Sequence, residues 1–165
     1  MTSSSLLQSF PAVCDANTRV MIFGSLPGVR SLAAAQYYAH PRNLFWDLLG
    51  EVIGTPLRSL TYDERLTTVL AHGVGLWDVI AEARRDGSLD SAIRNHMGND
   101  LRTLLASLPK LQTIGFNGGT AAKIGEKALG DLARRYRIVR LPSSSPAYAS
   151  MPYEAKLAVW QSLRG

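Results

Sequence analysis

The sequence predicts an α/β fold, a three-layer α/β/α sandwich around a central, mostly parallel sheet of four strands. Three observations carry the expectation. Four short, nearly continuous apolar runs recur along the chain; segments with apolar residues at helical spacing lie between them; and turns rich in Gly, Pro, Asn or Ser close most of the runs. Strands that are apolar on consecutive residues are buried on both faces, as in a parallel sheet covered by helices on each side. A chain of 165 residues, 46% of them hydrophobic, is of a size for one core. One domain is therefore expected over residues 16–165, after a Ser-rich, flexible N-terminus at 1–15.

In chain order, the run Arg19-Val20-Met21-Ile22-Phe23 reads as the first strand, and it stops at Gly24-Ser25-Leu26-Pro27-Gly28. Residues 43–53 place Leu44, Phe45, Leu48, Leu49 and Val52 on one helical face, and Gly54-Thr55-Pro56 ends it. Residues 62–71 form the next expected helix. Residues 73–80 read as a second strand ending near the carboxylate of Asp78, whereas 82–98 is polar and irregular and carries no clear period. A helix over 100–108 starts from Asn99 or Asp100 as N-cap and is closed by Pro109. The third strand, 111–116, passes through Asn117-Gly118-Gly119 into a helix at 120–129. The fourth, 137–141, leads into Pro142-Ser143-Ser144-Ser145-Pro146 and a last helix at 153–163.

Charge and cysteine content bound the function. Eighteen Lys and Arg against 13 Asp and Glu give a net charge of +5, which favours a polyanionic partner but serves solubility equally well. A single cysteine, Cys14, excludes an internal disulfide and a cysteine-based metal cluster within the chain. The first ten residues lack the pattern of a secretory signal, and no apolar run approaches the ~18 residues that span a bilayer. A cytoplasmic protein without membrane attachment is expected.

Ligands of open parallel sheets bind outside the carboxyl ends of the strands. That rule gathers four separate segments on one rim: the turn 24–28, the strand end at Trp77-Asp78, the turn 117–119 and the loop 143–146. The glycine turn lacks both the dinucleotide fingerprint and the Lys-Ser/Thr of a phosphate loop, so a nucleotide cofactor is a poor fit. Between the first strand and the first helix, Gln36-Tyr37-Tyr38-Ala39-His40-Pro41-Arg42-Asn43-Leu44-Phe45-Trp46 crowds aromatic, basic and amide groups. A ring stacks on an extruded base and an amide holds a water or a base edge. The plainer readings are that Phe45 and Trp46 belong to the core, that His40 only turns the chain and that Asn43 only caps the helix.

Gly24-Ser25-x-Pro27-Gly28 followed by Tyr38-Ala39-His40-Pro41-Arg42-Asn43-x-Phe45-Trp46 resembles the first conserved region of the uracil-DNA glycosylase superfamily, most closely its hypoxanthine-DNA (deoxyinosine) glycosylase branch. Leu141-Pro142-Ser143-Ser144-Ser145-Pro146-Ala147 resembles that branch's second signature loop, and the resemblance covers nearly the whole chain after residue 15. It implies a monofunctional enzyme of base excision repair that hydrolyses the N-glycosidic bond of a deaminated base, hypoxanthine first, in DNA. It implies no cofactor and no metal, a monomer, and a place at the nucleoid through DNA.

Carried over residue by residue, the resemblance makes Asn43 the catalytic amide that positions water and Tyr38 the ring that stacks on the flipped base. Asp78, on its residues alone a helix or turn cap, reads the base edge with Ser25 beside it, and Asn117 is either a second edge reader or a turn former. Pro27, Gly28 and the loop of Ser143, Ser144, Ser145 and Pro146 face the DNA, with Pro146, Ala147 or Tyr148 as a wedge, the plain alternative being a Ser/Pro-rich surface loop; Arg42, Arg140 and Lys123 are candidate phosphate contacts that look like any surface charge. The chain departs from the mismatch-specific branch, whose turn reads G-x-N-P-G, because Leu26 stands where that branch has its water-holding Asn. That departure leaves open a uracil or xanthine glycosylase, or a silent binder of damaged DNA.

Overall fold

A computed structural model describes residues 5–8, 10–27, 29–85 and 93–164. In chain order the strands and α-helices are β1 (Ser5–Gln8), β2 (Val20–Gly24), α1 (Val29–Ala34), α2 (Phe45–Ile53), α3 (Tyr62–Ala71), β3 (Val74–Asp78), β4 (Ile80–Arg85), β5 (Ile93–Gly98), α4 (Leu101–Ala106), β6 (Thr113–Asn117), α5 (Gly119–Leu129), β7 (Arg137–Leu141) and α6 (Tyr153–Trp160).

The four apolar runs form the central sheet, in the order β3-β2-β6-β7 with every neighbouring pair parallel. Strand alternation divides the core in two. Met21, Phe23, Ile114 and Phe116 face α4 and α5, where they meet Leu101, Leu105, Ala121 and Leu129. Ile22, Leu76, Val139 and Leu141 face the opposite layer, where α2 supplies Phe45, Trp46, Leu48 and Leu49 and α6 supplies Trp160. Three layers follow directly. Register then fixes the functional rim, since Gly24 pairs with Asp78 and Asn117 with Leu141 at the carboxyl ends of their strands.

Local chemistry sets the helix ends. Thr61 and Glu64 form a reciprocal capping box on α3, and Asp100 rather than Asn99 caps α4 by accepting from Thr103 N. Gly54 closes α2 with φ +76°, a left-handed conformation that glycine adopts without steric cost, and donates back to Gly50 O. Helix α5 lies close against the sheet at Gly125, where a β-carbon would run into the ring of Phe116. Gly125→Ala is accordingly expected to cost about 1–3 kcal/mol through overpacking. Thermal denaturation followed by circular dichroism checks this; for a domain of this size each kcal/mol lowers Tm by about 2–4 °C.

Three regions differ from the sequence reading. Helix α2 begins at Phe45, not at residue 43, because Asn43 Oδ1 accepts from Phe45 N and holds the chain in a turn. Helix α1, a single short turn and a half after the glycine loop, was not expected. The polar segment at 82–98 contains strands β4 and β5, which pair antiparallel with each other and with β1 in a second sheet of order β1-β4-β5. Within the stretch expected to be flexible, Ser5–Gln8 therefore pairs with β4, and Val13 bridges Leu76. No helix among the described residues is long and apolar enough to cross a membrane.

Candidate active site

A cleft of about 260 Å³ opens at the carboxyl ends of the parallel strands. The loops after β2, β6 and β7 and the end of β3 all reach it, as the topology requires. Its lining includes Ser25, Pro27, Tyr38, Asn43, Asp78, Asn117, Ser143, Ser144, Ser145 and Pro146. Gly28 lies outside the described residues. Arg42 is exposed beside the cleft and does not line it.

The turn after β2 is clamped to the end of β3 by two main-chain bonds, Val79 N to Gly24 O at 2.8 Å and Ile80 N to Ser25 O at 3.1 Å. Asn99 strengthens the same corner, its Nδ2 donating to Asp78 O at 2.7 Å. Asp78, only 3% exposed, is thereby fixed at the inner end of the cleft. Gly24 leaves room for what meets there: a β-carbon on it would sit 2.7 Å from Asp78 Oδ1 and 2.8 Å from Tyr38 Oη. The carboxylate and the phenol thus converge on one point.

Tyr38 adopts φ +53°, which a tyrosine rarely does, and its ring stacks on Phe45 at 3.7 Å and 9°. Phe45 is in turn buttressed edge-on by Trp46 and Trp160. One face of Tyr38 is therefore held by the core while the ring lines the cleft. Beneath it, the Tyr37 hydroxyl donates to Pro11 O at 3.1 Å; burial first and the Asp78 charge second push its pKa above the ordinary tyrosine value. It stays a neutral donor.

Asn43 occupies a braced turn. Its N–H donates to His40 O at 2.9 Å, and its carbonyl accepts from Arg58 at 2.7 Å while Arg58 grips Asp47 through two bonds of 2.9 Å. The side-chain Oδ1 accepts from Phe45 N at 2.9 Å and closes a turn just ahead of α2, whose N-cap is Leu44 and not Asn43. A carbonyl oxygen has two lone pairs, however, and the amide N–H groups remain for other work. The half-buried amide lines the cleft with a lone pair to spare.

The two remaining loops are locked together. Asn117 Nδ2 donates to Ser144 Oγ at 2.9 Å, and Ser144 N donates to Asn117 Oδ1 at 3.0 Å. Ser144 O accepts in turn from Leu44 N at 3.0 Å, which fastens the loop after β7 to the residue next to Asn43. Asn117 thus locks the two loops, a part that neither sequence reading gave it, and its amide keeps a second N–H and a second lone pair at the cleft wall. The Ser144 side chain, 1% exposed, is part of that lock. Ser143 Oγ and Ser145 Oγ accept from the amides of Ser145 and Ala147, which leaves each hydroxyl proton free to donate.

Among the further phosphate candidates, Arg140 grips Glu126 through two bonds of 2.7 Å and holds that carboxyl below its usual range. It is spent on the protein. Lys123 is exposed on α5. The cleft wall instead carries Arg30 of α1, which the sequence reading did not single out, and His40, whose Nδ1 accepts from Arg42 N at 3.1 Å. Arg30 had no motif to mark it, since an arginine on a short unpredicted helix looks like any surface arginine.

The profile of the uracil DNA glycosylase superfamily matches residues 10–164. A curated relative, the hypoxanthine DNA glycosylase of Methanosarcina acetivorans, is 41% identical over 140 residues, spanning 85% of this chain and 87% of its own. The hypoxanthine DNA glycosylase of Methanosarcina barkeri is 43% identical over 111 residues, spanning 67% of this chain and 70% of its own. A solution NMR structure from Methanosarcina acetivorans, described as a candidate uracil DNA glycosylase, superposes with a TM-score of 0.83 at 39% identity, covering 98% of this chain and 100% of that one.

Proposed function

The chain belongs to the uracil DNA glycosylase superfamily, and on that premise we propose that it is a monofunctional glycosylase that removes hypoxanthine from DNA. The observation that carries this reading is the shared cleft, in which the Tyr38 ring, the Asn43 amide and the Asp78 carboxylate face one space. Both relatives that bear the activity in their names are similar over most of this chain. The cleft volume, about 260 Å³, lies near the lower end of ligand pockets (~300–1,000 Å³), suited to a base more than to a large cofactor.

The chemistry follows from these positions. The deaminated nucleotide leaves the stack at a cost of a few kcal/mol, least where its pairing is already weak. Its base enters over the face of Tyr38 turned away from Phe45. Asp78 accepts from N1–H, a donor that hypoxanthine has and adenine lacks. As the C1′–N9 bond breaks, both electrons leave with the purine and the sugar becomes oxocarbenium-like. Asn43 orients a water that forms the new C1′–O bond; the water proton passes to solvent or to the departing base. The products are a free base and an abasic site. Dipoles fixed beforehand supply most of the acceleration in such a site. Arg30, Ser143 and Ser145 line the cleft, and the arginine and the two hydroxyl protons meet phosphates of the bound strand.

Duplexes carrying a single inosine or a single uracil, incubated with the protein and then treated with alkali, test the reading. Cleavage at inosine is expected, at a higher rate than at uracil. Cutting at uracil alone would overturn the base assignment, and tight binding without cutting would mark a silent damage binder.

The convergence at Gly24 yields a second expectation. Gly24→Ala forces the Asp78 carboxylate and the Tyr38 hydroxyl apart, because neither distance leaves room for a methyl group. Hypoxanthine excision should fall by about tenfold or more, the scale on which an ångström of misplacement acts. Single-turnover rates on the inosine duplex read it out; an unchanged rate would mean that the two groups do not act on the base from these positions.

A further inference from the structure

The loop over residues 142–151 walls one side of the cleft, and a lysine lies beneath it. Lys156, on α6, is 2% exposed, a burial that lysine almost never shows unless its ammonium is partnered. Its Nζ donates to Ser143 O at 2.8 Å and to Tyr148 O at 2.6 Å, and it lies 5.0 Å from the centroid of the Tyr148 ring. No carboxylate forms an ion pair with it among the described residues. Burying an ammonium costs free energy that packing alone would not require, since a methionine would fill the same space. The ammonium adds two main-chain anchors, five residues apart, on a single loop.

The two halves of that loop are held differently. The near half is locked by Asn117 and Leu44 through Ser144. In the far half the bonds from Ala147 N to Ser145 Oγ and from Tyr148 N to Ser145 O are internal and fasten it to nothing else. Among the hydrogen bonds of the described residues, those of Lys156 alone tie residues 145–148 to the body of the protein. At the end of this half stands Tyr148, 39% exposed at the rim of the cleft.

We propose that Lys156 is the positioning residue of the far half of this loop, holding Pro146 and Tyr148 where DNA flanking the extruded nucleotide meets them. The inference rests on the glycosylase reading and predicts a separation of effects. Asn43 and Asp78 are braced by Arg58, Phe45 N and Asn99, none of which involves Lys156. Loss of the ammonium should therefore weaken DNA binding while leaving bond cleavage nearly intact.

Lys156→Met, which keeps the stem and removes the donors, is the test. Hydrogen exchange at the amides of Ser145, Ala147 and Tyr148 should accelerate, with the amides of the central sheet unchanged; this arm needs no DNA. In single-turnover excision of hypoxanthine, the half-saturating enzyme concentration should rise about tenfold while the saturating rate changes less than about threefold. Lys156→Gln, which retains an N–H donor at shorter reach, should fall between Met and the wild type. Unchanged loop exchange, or a saturating rate that falls while half-saturation stays put, would refute the assignment. Failure of both variants to fold would show that Lys156 serves the core and not the loop. The wild-type protein run in parallel separates these results from a failure of the glycosylase reading, which would leave no excision at all.

Discussion

Asn43→Ala is expected to lower the single-turnover rate of hypoxanthine excision by about 10²- to 10³-fold, the range found when one fixed polar group of a catalytic site is removed. The geometry complicates the measurement, because Asn43 Oδ1 also accepts from Phe45 N in the turn ahead of α2. Loss of such a bond costs about 0.5–1.5 kcal/mol of stability. At 2–4 °C per kcal/mol this displaces Tm modestly and leaves the protein folded at the assay temperature. Asn43→Ser separates the two roles. Serine also bonds the backbone two residues on, but its hydroxyl is too short to reach a water that the longer amide holds, so Tm should recover while the rate does not. Substantial excision by the serine variant would move the water to another residue, and His40, on the same cleft wall, would be the first to examine.

What the sequence disclosed, and what it withheld, follows from the range of the interactions concerned. The four parallel strands were visible because burial on both faces writes a continuous apolar run, and the rim followed from topology alone. Tyr38 and Asn43 were visible because they sit on one crowded segment whose pattern resembles a known family. Strands β4 and β5 were not. Their segment mixes charged and small residues without a steady period of two, and their pairing includes shifts of register between Ile80 and Glu82 and between Glu82 and Arg84. The locking role of Asn117 was equally hidden, since its partner Ser144 lies 27 residues away and the bond exists only once β6 and β7 pair. Lys156 is the extreme case. Helix α6 carries it between Ala155 and Leu157 with no amphipathic period to mark a buried face, so a lysine there reads as solvent-exposed, and only the loop folded over it makes it buried.

Selectivity should depend on Asp78 with an effect second only to that of Asn43. The carboxylate is 3% exposed, and the bonds from Asn99 to Asp78 O and from Val79 N to Gly24 O deny its backbone freedom to retreat. Hypoxanthine brings an N1–H donor to this position; adenine brings a bare acceptor that a carboxylate repels. Asp78→Ala leaves N1–H buried and unsatisfied, at about 1–3 kcal/mol. Since ~1.4 kcal/mol is a factor of ten, hypoxanthine excision should fall by about 5- to 150-fold. Asp78→Asn is the more informative change. Its amide can accept from N1–H with the oxygen or, rotated, donate to the N1 of adenine with the nitrogen, so excision of hypoxanthine should survive better than in the alanine variant while discrimination against adenine narrows. Paired rates on duplexes that differ only in inosine or adenosine at one position measure both effects. If the alanine variant cuts inosine as fast as the wild type, Asp78 belongs to the scaffold of the β3 corner, and base choice must be made by another group in the cleft.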